Sequence, residues 1–123
     1  MENNIYKSKR FKDISLKNLD LPNDLKKLTK AECVYFCKEI RKTLVDTVSA
    51  NGGHLSSNLG TVELTLAIHR VFKSPDDKII FDVGHQAYTH KLLTGRYEKF
   101  NTLREKGGIS GFCKPCESKH DPV

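Results

Sequence analysis

Lys78-Ile79-Ile80-Phe81-Asp82-Val83-Gly84-His85-Gln86-Ala87-Tyr88-Thr89-His90-Lys91 is the stretch that decides how this 123-residue chain is expected to fold. Its first six residues form a short, β-branched run bounded by the turn Ser74-Pro75-Asp76-Asp77 and by Gly84. Such a run predicts a strand buried on both faces, as in a parallel sheet. From Gln86 to Thr94 the pattern becomes helical and stops at Gly95. Strand, glycine, histidine and helix in that order begin an α/β domain. In open α/β sheets ligands bind beyond the carboxyl ends of the strands, which is where His85 stands. A helix opening there turns its N-terminal amides and positive dipole end toward a bound anion. By position alone, His85 is either a ligand contact or a structural turn histidine.

A second glycine-led histidine lies thirty-one residues earlier, in Gly52-Gly53-His54-Leu55-Ser56-Ser57-Asn58-Leu59-Gly60. Glycine permits the sharp turn and lets a ligand approach without a Cβ in the way. Histidine titrates near neutrality, so it can move protons or hydrogen-bond an anion. Before this loop, Thr29-Lys30-Ala31-Glu32 is a capping-box pattern. The apolar positions Cys33, Phe36, Cys37, Ile40, Leu44, Val45 and Val48 then predict a helix to about Ser49. After the loop, Leu64, Ala67, Ile68, Val71 and Phe72 mark a second amphipathic helix starting near Gly60, with Ser56, Ser57 and Asn58 as candidate N-caps. Tyr97–Lys106 reads as a further helix stopped at Gly107-Gly108, and the tail from Ile109 has little periodicity. His69 and His90 fall within helical stretches and read as surface or packing residues; His120 has no setting that points to chemistry.

Hydrophobic residues make up 37% of the chain and the mean hydropathy is −0.50, low for a self-sufficient core. The net charge of +6 is uneven: residues 1–30 carry eight Lys/Arg against four Asp/Glu, and residues 31–123 thirteen against eleven. Residues 1–28 therefore read as a basic N-terminal arm with one helical turn around Asp24–Leu28, broken by Pro22. The arm has no nucleic-acid-binding motif and few aromatics, and no nucleic-acid partner is expected. The start lacks an apolar signal segment and no run is long enough to span a bilayer, so neither secretion nor membrane insertion is expected. Cys33 and Cys37 share a helix face as buried thiols. Cys113-Lys114-Pro115-Cys116 is a C-x-x-C, which keeps open a non-catalytic zinc or redox module, or an anion-binding one through the basic arm. A zinc site needs four ligands and a thioredoxin-like site needs a following helix; here only His120 is near, and Glu117-Ser118-Lys119-His120-Asp121-Pro122 is a poor helix.

Three runs carry a family resemblance. They are Gly53-His54-Leu55-x-Ser57-x-Leu59-Gly60-x-Val62-Glu63-Leu64-Thr65, then Asp82-Val83-Gly84-His85-Gln86-Ala87-Tyr88-x-His90-Lys91-x-Leu93-Thr94-Gly95-Arg96, then Gly107-Gly108-x-Ser110-Gly111-Phe112. Together with Leu21-Pro22-x-Asp24-Leu25-Lys26-x-Leu28, they resemble the 1-deoxy-D-xylulose-5-phosphate synthase family from about Ile14 to Asp121. The Gly-His-Leu of the first run distinguishes it from transketolase, whose matching loop is Gly-His-Pro.

The resemblance implies a transferase dependent on thiamine diphosphate and Mg2+. It would condense pyruvate with D-glyceraldehyde 3-phosphate, losing CO2, to give 1-deoxy-D-xylulose 5-phosphate for isoprenoid, thiamine and pyridoxal synthesis. The cofactor supplies the electron sink and the protein positions it. The resemblance implies that His85 contacts thiamine diphosphate and that His54 faces the reacting centre as the catalytic histidine. Ser57 matches a family serine whose role is left open. It further implies a cytoplasmic homodimer.

The family's Gly-His-Ser-Ser run, its Gly-Asp-Gly…Asn magnesium signature and its aminopyrimidine glutamate are not in this sequence, and no metal ligand is assigned. The expectation is therefore a partial thiamine-diphosphate-binding domain of α/β class, with helices plus the start of a parallel sheet, incomplete on its own. Residues 1–28 would be the arm and residues 29–123 the N-terminal part of a transketolase-like domain. Such a chain is expected to be catalytically inactive alone, and partly unfolded or associating through open edges.

Overall fold

The structure, a computed structural model, describes residues 9–123. Five α-helices occur among them: α1 (Lys9–Lys12), α2 (Lys30–Asn51), α3 (Leu55–Leu59), α4 (Val62–Val71) and α5 (Tyr88–Leu93). Two 3-10 turns, Asn23–Lys27 and Tyr97–Thr102, complete the regular structure. None of these helices is long and apolar enough to cross a membrane.

The long helix α2 begins as its sequence dictates. The Thr29 side chain accepts from the Glu32 amide at 3.1 Å while Glu32 Oε1 accepts from the Thr29 amide at 2.7 Å, closing the capping box. Phe36, Ile40, Leu44 and Val48 recur at helical spacing and are buried. They meet Val62 and Leu66 of α4, Tyr88, Leu92 and Leu93 of α5, and Phe100 and Leu103. Phe11, Ile14, Leu16, Leu25 and Leu28 enter the same core from the N-terminal side, and Phe11 packs edge-on against Tyr35 at 5.1 Å. Two cations lace this segment to α4. Lys26 Nζ donates to the carbonyls of His69, Arg70 and Phe72, at 3.2, 3.0 and 3.1 Å. Arg70 returns the contact by donating to the carbonyls of Leu25 and Leu28.

The expected strand is not formed. Among the described residues there is no strand at all, so the start of a parallel sheet is not present and the fold is helical. A strand is held by ladder partners, and none of the described segments pairs with Ile79–Val83. Two of its apolar side chains are correspondingly bare, Ile80 at 62% and Val83 at 75% exposed, while Ile79 and Phe81 are half-buried. The backbone turns instead, with Val83 at φ 63° and the Gly84 amide donating to the Asp82 carbonyl at 2.7 Å.

The second amphipathic helix forms, but on a different face from the one expected. Val62, Thr65, Leu66 and His69 are the buried residues of α4, whereas Leu64, Val71 and Phe72 are exposed. The reason is polar: His69 is drawn inward to bond His90, Nε2 to Nδ1, at 2.9 Å. The helix expected over Tyr97–Lys106 shortens to a 3-10 turn ending at Thr102, after which Arg104 takes φ 65°.

The aperiodic tail is held by charge rather than by apolar periodicity. Asp121 accepts from both terminal nitrogens of Arg96, from His90 Nε2 at 3.0 Å and from the Lys114 amide at 2.9 Å. Glu117 accepts from Lys91 Nζ at 2.7 Å, from Arg96 at 3.1 Å and from the Ser110 amide at 2.7 Å. Ser74 Oγ and His120 Nδ1 lie 2.8 Å apart in the same buried region. These bonds fasten residues 110–121 against α5.

Candidate functional site

Both glycine-led loops fold to the same place. Gly53 sits at φ 132°, a conformation that side chains disfavour, and a Cβ there would lie 2.7 Å from Tyr88 Oη. The absence of that Cβ lets the His54 amide donate to Tyr88 Oη at 3.3 Å. Gly84, at φ 98°, turns the second chain so that His85 meets His54. Their ring centroids are 4.9 Å apart with 59° between the planes. His54 is exposed and His85 half-buried. The hydrogen bonds given for both residues run through main-chain atoms, and the imidazoles meet each other.

Three side chains tie the loops. Asn58, fully buried on α3, donates from Nδ2 to the His54 carbonyl at 2.7 Å and to the His85 carbonyl at 2.8 Å. Its Oδ1 accepts from the Tyr88 amide at 2.9 Å. Thr61 Oγ1 adds longer contacts to the carbonyls of Ser57, Asn58 and Gln86, at 3.2, 3.3 and 3.4 Å. None of the candidate caps serves α4; the residue at that position is Thr61, without a side-chain capping bond. Asn58 faces across the loop gap instead.

Two buried polar atoms beside the histidines lack a partner: Ser57 Oγ and Gln86 Oε1. Buried polar groups are nearly always satisfied, so these two atoms are exceptions within the two loops, as His69 Nδ1, Thr89 Oγ1 and Arg96 Nε are elsewhere among the described residues. Arg104 adds positive charge. Its side chain runs 3.4–3.5 Å from where Cβ atoms of Gly52 and Gly53 would stand and flanks Gly111 as well. Nothing in the sequence singles out Arg104, because the positive φ that swings it beside the loops leaves no mark on composition or periodicity.

The unpaired Ser57 Oγ and Gln86 Oε1 could meet hydrogen-bonding groups of an organic cofactor, while no magnesium cage is found among the described residues. Among the described residues, the group of three with metal-ligand geometry is His90, Cys113 and Asp121, whose ligand atoms lie within 4.8 Å of one another. Both Asp121 oxygens there already serve Arg96, and a cation would stand beside that guanidinium. Burial, reinforced by the Asp121 charge, pushes the Cys113 thiol up to about 11, away from the thiolate a metal requires. Cys116 is exposed and both cysteines are free thiols. Nothing among the described residues supports a zinc or redox module. Cys37 is likewise an inert core thiol, raised to about 11 by burial and the nearby Glu63 charge.

Two glycine-led loops that bring a pair of imidazoles to 4.9 Å define a histidine pair on a helical scaffold. A family model described as 1-deoxy-D-xylulose-5-phosphate synthase matches residues 16–123. Relatives of that name agree: the Dictyoglomus turgidum protein is 60% identical over 106 residues, covering 86% of this chain and 17% of the relative. The Geobacter sulfurreducens 1-deoxy-D-xylulose-5-phosphate synthase 2 is also 60% identical over 106 residues, with the same coverage. The Thermus thermophilus protein is 56% identical over 108 residues, 88% of this chain and 18% of its own length. The chain belongs to the 1-deoxy-D-xylulose-5-phosphate synthase family. It spans less than a fifth of the length of these relatives.

Proposed function

We propose that this chain supplies one wall of the active site of a 1-deoxy-D-xylulose-5-phosphate synthase. That enzyme condenses pyruvate with D-glyceraldehyde 3-phosphate, with loss of CO2, for isoprenoid, thiamine and pyridoxal synthesis. The observation that carries this reading is the side-by-side placement of His54 and His85 at 4.9 Å, next to the unpartnered Ser57 Oγ and Gln86 Oε1. Bound thiamine diphosphate would supply the electron sink for decarboxylation. His85, the more enclosed of the two, holds the cofactor. His54, the more exposed of the two, faces the reacting centre, where an imidazole can hydrogen-bond or move a proton of the substrate.

The magnesium ligands that hold the diphosphate lie outside this chain in our reading, as does a homodimeric partner, and the chain alone is inactive. Residues 29–123 belong in this reading to the N-terminal part of the diphosphate-binding domain, with Phe11, Ile14, Leu16, Leu25 and Leu28 of the basic N-terminal segment packed into the same core, and the enzyme works in the cytoplasm.

The test is a chimera in which this chain replaces the matching segment of the Dictyoglomus turgidum relative. The chimera is expected to form 1-deoxy-D-xylulose 5-phosphate from the two substrates, and the 123-residue chain alone to form none. In the chimera, His85→Ala should weaken thiamine diphosphate binding by calorimetry, whereas His54→Ala should slow turnover with little change in cofactor affinity. Unchanged cofactor affinity in His85→Ala, or turnover unaffected by His54→Ala, would overturn the assignment of that histidine.

A further inference from the structure

We infer that Asn58 is a positioning residue, whose one carboxamide sets the separation of the His54 and His85 imidazoles by bonding both histidine loops at once. Its importance for turnover rests on the proposed roles of those histidines; the tie itself rests on geometry alone. The two Nδ2 protons go to two carbonyls from different parts of the chain, His54 at 2.7 Å and His85 at 2.8 Å. The carbonyl oxygen of the same group takes the Tyr88 amide at 2.9 Å. All three partners belong to the histidines or to the residue that opens α5, and Tyr88 also holds the His54 amide through its hydroxyl. The Asn58 side chain itself is fully buried, so its own amide depends on these bonds rather than on water.

The chemistry requires asparagine. A side chain of this length must offer one acceptor and a nitrogen with two protons, and only the carboxamide does. Aspartate has the same shape but would set a carboxylate against two carbonyl oxygens. Serine has one proton and a shorter reach. Leucine or alanine would leave the His54 and His85 carbonyls and the buried Tyr88 amide without this partner. A residue that only filled space or capped a helix would not divide its donors between the two loops. Thr61 reaches the Gln86 carbonyl at 3.4 Å, too long to hold the spacing by itself.

The chain itself gives the decisive test. With ring centroids 4.9 Å apart, His54 and His85 ring protons should show a nuclear Overhauser cross-peak. Asn58→Asp keeps the acceptor for Tyr88 and loses both donors. It is expected to abolish that cross-peak while the Tyr88 amide stays protected from hydrogen exchange. If Asn58→Asp fails to fold, Asn58→Ser is scored in the same way. A folded variant whose ring cross-peak matches that of the unsubstituted chain overturns the inference. In the chimera, Asn58→Ser should lower kcat about tenfold to a hundredfold, the scale on which small misplacements act. A purely structural asparagine would lower the melting temperature and leave kcat unchanged. If the chimera with Asn58 intact forms no product, the proposed function fails, and the ring cross-peak still decides the tie.

Discussion

Asp121 grips Arg96 with both oxygens, at 2.6 and 2.8 Å, and the two side chains are 0% and 6% exposed. This pair joins the end of an aperiodic tail to the residue that follows α5 and Gly95, and it anchors everything between Ser110 and Asp121. Burial pushes the Asp121 carboxyl up, but Arg96, His90 and the Lys114 amide outweigh it and hold it well below the usual carboxylate range. Breaking a buried pair by removing one charge is costly because the other remains. Asp121→Asn should therefore destabilise the chain by about 3–5 kcal/mol in urea unfolding. A change near zero would mean that the guanidinium finds water once the carboxylate is gone.

His69 gives the fold a second, separate acid sensitivity. Burial first, then the electrostatic influence of His90, His120 and Lys26, pushes its pKa down to about 3 from an ordinary 6.5. The unfolded chain thus binds a proton across this window that the folded chain refuses. Stability is present above about pH 6.5 and is lost as pH falls toward 3. Asp121 acts lower still, since its contribution disappears only as pH drops through its own depressed value. His69→Gln, which can still donate to His90 Nδ1, should flatten the upper part of the urea-midpoint profile and spare the lower part. An unaltered profile would show that His69 is already protonated in the folded chain.

Gly53→Ala should cost about 1–3 kcal/mol, because the backbone is at φ 132° and the new methyl meets Tyr88 Oη at 2.7 Å. Tyr88→Phe removes the obstructing oxygen but not the backbone strain. A double-mutant cycle by thermal melting should therefore show a coupling between the two sites, with the pair less damaged than the sum of the singles. Strict additivity would place the whole effect in the backbone.

Thr29→Ala opens the capping box of α2 and should lower stability by about 1 kcal/mol. Glu32→Gln, which still has a side-chain oxygen for the Thr29 amide, should cost less. Equal losses would assign the effect to the Glu32 charge rather than to the reciprocal bonds.

The sequence was legible where local rules are strong. Thr29 and Glu32 announce the start of α2, and its spacing from Phe36 to Val48 announces the core face. The two glycine-histidine pairs stand out in the sequence, and the structure brings their rings to 4.9 Å. It was illegible where the answer depended on distant partners. Ile79–Val83 has the composition of a strand, but β structure exists only between segments, and none of the described residues supplies the second. The face of α4 followed a His69–His90 bond that no hydropathy pattern encodes. Asn58 read as a local cap because asparagine caps helices, while its bonds to His85 and Tyr88 cross about thirty residues of chain.

The reciprocal clasp between Lys26 and Arg70 bears on how the chain can be shortened. Each cation serves the main chain of the other's segment, so the carbonyls of Leu25 and Leu28 and those at the end of α4 are satisfied together or bared together. Trimming the N-terminus past Lys26 would thus expose the far end of α4, forty-odd residues away in sequence. The fold has no clean seam at that point.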